Sequence, residues 1–207
     1  MSSKNTKLYF YPVWLRIWHA INALGIIILI ITGLSLRSGI DSRIINFKLA
    51  VNAHNITGIA VTINYLVFFI GNIVTQNIKF YLIKPMGFIK RPMKQAYYYA
   101  YGMFHGMKAP YPLSEKRKFN PLQKYSYVAV MYFVVPIVII SGFALLFPEL
   151  IIEKVYTLSG VFLTAVTHSA AGFFISIFLI IHLYVASIGK SPAENFKSII
   201  TGWHNIH

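Results

Sequence analysis

Four apolar stretches, each long enough to cross a bilayer, run through this chain between short polar turns and one long basic segment. About 20 apolar residues in a helix span the hydrocarbon of a membrane. The stretches fall at about 14–36 (WLRIWHAINALGIIILIITGLSL), 51–74, 125–147 and 161–188. The first carries Arg16 and His19 near its start, is too long for a signal-peptide core and lacks a small-residue cleavage site. It therefore reads as a retained helix. Pro136 is expected to kink the third span, a feature that membrane helices tolerate when neighbours satisfy the freed carbonyl. The pattern predicts an all-α integral membrane protein, a four-transmembrane-helix bundle forming a single membrane domain over 1–207.

Between the second and third spans, residues 75–124 combine ten Lys/Arg with Tyr97, Tyr98, Tyr99 and Tyr101. This reads as a segment lying along the headgroups, part helix and part loop. Hydrophobic residues make up 57% of the chain and charged ones only 12%, so a soluble globule is excluded. The net charge of +14 alternates with the apolar runs, which is a membrane pattern and not the basic face of a nucleic-acid binder. There is no cysteine, which rules out disulfides, iron–sulfur clusters, thiolate zinc and a thioether-linked haem. With four spans, the termini and the long loop share one side, and that side holds 15 of the 19 Lys/Arg. The positive-inside rule then places both termini and the long basic loop in the cytoplasm of a multi-pass protein.

Seven histidines occur, of which His105, His204 and His207 fall in the loop or tail and read as solvated surface residues. His19, His54, His168 and His182 fall inside the spans, where ionisable side chains are costly and mark function. The 14 residues from His168 to His182 correspond to a rise of about 21 Å, roughly 40° short of four full turns. Both therefore leave one helix face, one near each membrane surface. His19 lies at the depth of His182, and His54 at the depth of His168.

Two facing pairs of imidazoles with no carboxylate at that depth suit bis-imidazole ligation of two b haems, because haem iron takes two axial ligands. Zinc requires four ligands at one point, and proton relays mix histidine with carboxylates, all of which lie outside the spans here. Gly33, Gly58, Gly142 and Gly172 offer places where a flat macrocycle can lie against a helix, although small residues also serve ordinary helix packing. Arg16, three residues before His19, can pair with haem propionates, and Arg37 is open to that role or to a purely topological one.

The segments RIWHAIN, IITGLSLR, AHNITG, KRKFNPLQKYSYVAVMY and THSAAGFFISIFLIIHLYVA resemble the bacterial cytochrome b561 superfamily. The likeness is greatest to the di-haem membrane subunits of nickel–iron hydrogenases, formate dehydrogenase N (gamma) and thiosulfate reductase. It implies His19 with His182 as ligands of the cytoplasmic-side haem and His54 with His168 as ligands of the outer one. It further implies electron transfer in the bacterial inner membrane between the quinone pool, menaquinone or ubiquinone, and a periplasmic-facing iron–sulfur or multihaem subunit. Asn120 and Gln123 match the Asn and Gln at the quinol site of formate dehydrogenase N. Asn120 followed by Pro121 is equally a standard helix start, and the two roles are compatible. A self-contained quinone oxidoreductase of the superoxide:quinone type is the alternative within the superfamily. A haem-free anchor or proton channel is the alternative outside it, and an absorption spectrum separates the two.

Overall fold

The computed structural model describes residues 6–39, 44–114, 117–188 and 193–206. His207 and four of the lysines and arginines counted above, Lys4, Arg43, Lys116 and Lys190, lie outside them. Strand β1 (Thr6–Tyr9) leads into helix α1 (Val13–Arg37) and then α2 (Phe47–Val74). A 3-10 turn (Asn77–Phe80) and helix α3 (Lys90–Ala100) follow in the long loop. The third span is built of α4 (Pro121–Ala129), a π-helical turn (Val130–Val134) and α5 (Val135–Leu146). The two-residue strands β2 (Lys154–Val155) and β3 (Leu158–Ser159) then form a hairpin before α6 (Gly160–Ser187). The chain closes with α7 (Glu194–Thr201) and strand β4 (Trp203–Ile206). Among the described residues, four helices are thus long and apolar enough to cross a membrane, as the hydropathy pattern requires.

The first and fourth spans agree with the sequence reading to within one residue at either end. The second and third start four residues earlier than 51 and 125, because polar caps and not hydropathy fix those starts. Asn46 accepts from the backbone N–H of Lys48 at 3.0 Å and of Leu49 at 3.4 Å. Asn120 opens α4 with a reciprocal box. Its side chain accepts from Gln123 N at 2.9 Å, while Gln123 Oε1 accepts from Asn120 N at 3.1 Å. Pro136 takes effect one turn upstream, where the helix widens into the π turn. The Tyr65 hydroxyl donates to the Met131 carbonyl in that turn at 2.9 Å, so a neighbouring helix supplies the compensation expected of it.

Burial is inverted relative to a soluble fold. Ile17, Leu24, Ile56, Ile63, Ile140 and Ile180 point outward, while Thr32, Ser35, Asn64 and Ser141 are buried. That arrangement suits a chain whose outer solvent is lipid. Helix α1 packs along α2 and α5 along α6, giving two hairpins, and α6 does not pack closely along α1 or α2. One end of the bundle, here the basic end, is closed by the loop and both terminal segments. There Leu15, Trp18 and Phe68 from the helices enclose Tyr81 and Phe119 from the loop. Strand β1 pairs antiparallel with β4, Tyr9 opposite Trp203, which ties the two terminal segments together at that end.

Candidate haem sites

The slot between the two hairpins holds the four intramembrane histidines as two facing pairs. At the basic end, His19 on α1 faces His182 on α6 with ring centres 6.2 Å apart. At the opposite end, His54 on α2 faces His168 on α6, again at 6.2 Å. A metal between two imidazoles at ordinary bond lengths of about 2.0 Å separates their ring centres by roughly 6 Å, so both gaps suit one axially ligated iron. Among the described residues no cluster of three or more His, Asp or Glu side chains could hold a bare metal ion.

The opposite-end pair is fixed by hydrogen bonds. Thr32 Oγ1 donates to Ile28 O at 2.7 Å and so is left to accept from His54 Nδ1 at 2.9 Å. Ser141 Oγ donates to Ile137 O at 2.6 Å and accepts from His168 Nδ1 at 3.1 Å. The Val138 carbonyl accepts from the same Nδ1 at 3.0 Å. In each imidazole Nδ1 carries the proton, which leaves the Nε2 lone pair as the ligand atom. The basic-end pair is held differently, by aromatic rings. Phe178 stacks on His182 at 5.6 Å, Tyr127 meets its edge at 5.9 Å, and Trp18 lies 6.4 Å from His19.

The four glycines divide into two kinds. A Cβ on Gly33 would lie 3.5 Å from the His54 ring, and one on Gly142 only 3.0 Å from the His168 ring. A Cβ on Gly142 would thus crowd the His168 imidazole, while one on Gly33 would make ordinary contact with His54. Gly58 and Gly172 follow His54 and His168 by one turn, and a Cβ on Gly172 would meet nothing within 4 Å. Open space beside facing imidazoles is what a flat macrocycle requires. At the basic end Arg16 donates to Thr201 O at 3.4 Å, and its buried Nε has no partner among the described residues. That donor fits a propionate. The four histidines, the open slot and the free guanidinium N–H together fit haem b.

Asn120 and Gln123 lie at the basic end, but their cap bonds consume both side-chain oxygens. One Asn120 N–H goes to the Tyr99 hydroxyl at 2.8 Å. The donors left for a ligand are the second Asn120 N–H, Gln123 Nε2 and the Tyr99 hydroxyl proton. Burial, partly offset by its hydrogen bonds, holds the Tyr99 phenol above its ordinary range, so it keeps that proton. In the sequence Tyr99 is one of a tyrosine run, and nothing in the spacing distinguishes it. His105 is exposed and stacks on Tyr101. His204 departs from the surface reading, since it is half-buried with Nδ1 2.9 Å from Ser198 Oγ.

A membrane bundle with an axial histidine pair at each end is the architecture of a transmembrane cytochrome b. The chain belongs to the prokaryotic cytochrome b561 family, whose model matches residues 10–202. It is also 33% identical over 199 residues to the candidate cytochrome YdhU of Escherichia coli (strain K12), an alignment covering 96% of this chain and 75% of that one. This is therefore a multi-pass membrane cytochrome b with an electron-transfer role.

Proposed function

We propose that this chain is the di-haem b subunit of a respiratory oxidoreductase in the bacterial inner membrane. It passes electrons between a periplasmic iron–sulfur or multihaem partner and the quinone pool. The observation that carries the reading is the pair of facing imidazole sets, one at each end of the bundle and both separated by 6.2 Å. His19 with His182 and His54 with His168 are the axial ligands, and Arg16 holds a propionate of the basic-end haem. Bound haem supplies one-electron transfer at two depths of the bilayer. The chain's own residues do the rest. Imidazoles fix the depth of each iron, apolar side chains exclude water, and hydrogen bonds to Nδ1 set ligand basicity.

The basic end faces the cytoplasm in this reading, supported by the concentration of Lys/Arg on that side. A quinone carbonyl there takes hydrogen bonds from Gln123 Nε2 and from the free N–H of Asn120 or the hydroxyl of Tyr99. Because Asn120 and Gln123 also cap α4, the informative variant keeps the cap and removes the donors. Asn120→Asp with Gln123→Glu retains both accepting oxygens and places negative charge at a helix N-terminus, where it is tolerated. The double variant is expected to keep wild-type haem spectra and to lose haem reduction by a water-soluble quinol. Quinol-driven reduction at the wild-type rate would place the quinone elsewhere.

A further inference from the structure

A lysine is buried at the basic end with no carboxylate to pair with it among the described residues. Lys118, two residues before Asn120, is only 3% exposed. Its Nζ sits over the rings of Tyr11 at 4.6 Å, Phe80 at 5.5 Å and Phe119 at 5.6 Å. Its one hydrogen bond among the described residues is a long one, 3.5 Å to Asn77 Oδ1. Desolvating an ammonium is expensive, and cation–π contacts return only about 2 kcal/mol. The surroundings should therefore favour the neutral amine, and burial lowers the Lys118 pKa to about 7. Such a group titrates within the physiological pH range.

Its hydrogen-bond partner Asn77 faces a cavity, and along the chain it lies two residues from Asn120 of the proposed quinone pocket. On one side, Asn77 lines a cavity of about 410 Å³ that opens at the basic end, together with Tyr9, Phe10, Pro12, Thr75 and Phe80. On the other, the chain runs directly from Lys118 through buried Phe119 to Asn120. Phe119 touches Tyr127 at 5.0 Å, and Tyr127 meets the His182 ring. Among the described residues, the titratable groups around the amine do not compete with it. Burial pushes Tyr11 up to about 12 and Tyr81, beyond Phe119, higher still. Lys79, on Phe80, and the neighbouring Arg117 are cations, and Tyr127 is a phenol. No ion pair to Lys118 occurs among the described residues.

Resting on the quinone reading above, we propose that Lys118 is the proton-exchange group of the quinone pocket, connected to bulk water by the cavity at Asn77. Reduction of a quinone takes two electrons, supplied by the bound b haems, and two protons. The Lys118 ammonium gives a proton to a quinone oxygen, and the resulting amine is recharged from the cavity before the second transfer. Quinol oxidation is the reverse. The neutral amine accepts each O–H proton and releases it to water, while the two electrons leave for the haems.

The test is stopped-flow reduction of the purified, haem-loaded protein by decylubiquinol from about pH 5.5 to 8.5. The wild-type rate should rise with pH through an inflection near 7, as the amine becomes able to accept a proton. Lys118→Met removes a charge that burial disfavours and so should fold, while Lys118→Arg keeps a cation that cannot deprotonate but whose planar guanidinium can stack on the same rings. Each should retain wild-type haem spectra and reduction by dithionite. Each should lose about 100-fold in quinol-driven rate at alkaline pH, and with it the inflection. Either variant keeping the wild-type rate and inflection would overturn the proposal, as would a wild-type profile flat between about pH 6 and 8. Wild-type haems that quinol does not reduce at any pH would instead overturn the quinone reading, and this proposal with it.

Discussion

Single hydroxyl groups decide how the opposite-end imidazoles present themselves. Thr32 and Ser141 each spend their proton on a carbonyl of their own helix and so can only accept from the histidine facing them. An acceptor on Nδ1–H gives the ligand more imidazolate character, which favours ferric iron and lowers the reduction potential. The basic-end imidazoles, set among Phe178, Tyr127 and Trp18, have no such acceptor among the described residues. Thr32→Val should therefore raise the midpoint potential of the opposite-end haem and leave the other unmoved. Ser141→Ala should raise it as well, by an amount limited by the Val138 carbonyl that still accepts from His168 Nδ1. Spectroelectrochemical titration of the two variants checks this. Unmoved potentials, or a shift confined to the basic-end haem, would contradict the assignment of acceptor roles.

Among the elements, the four spans were legible because lipid imposes one rule, apolar residues outward for about 20 positions, that hydropathy reads directly. The histidine pairs were legible for a related reason. A straight helix converts the 14-residue spacing into a shared face and two depths, and the topology supplies the partners. What the pattern missed is set by side chains acting on backbone. Asn46 and Asn120 extend two helices by a turn into polar sequence, and no hydropathy window detects a cap. The π turn before Pro136 needed knowledge that Tyr65, on another helix, reaches the Met131 carbonyl. Likewise Tyr99 and Lys118 acquire their significance only when the loop folds under the bundle. There Tyr99 meets Asn120, and the rings of Tyr11, Phe80 and Phe119 close over the lysine. That Gly33 and Gly142 lie against imidazoles is likewise visible only in the folded chain.

For the molecule as a whole, the proposed function requires a directed path: a partner at one end of the bundle, quinone and proton exchange at the other. Direction follows from orientation, and the absence of native cysteine makes orientation simple to measure. Single replacements Lys108→Cys, in the basic loop, and Tyr156→Cys, at the exposed tip of the β2–β3 hairpin, lie at opposite ends. In intact cells an impermeant thiol reagent should label the second and spare the first. The reverse would invert the path and put quinone chemistry on the outer face. More central still is the number of haems, because every functional step above assumes an iron between each pair of facing imidazoles. A pyridine haemochrome assay on the purified chain, repeated for His54→Ala and His168→Ala, addresses it most directly. The account predicts two b haems per wild-type chain and one in each variant, with the remaining haem held by His19 and His182. One haem or none in the wild-type chain would contradict it.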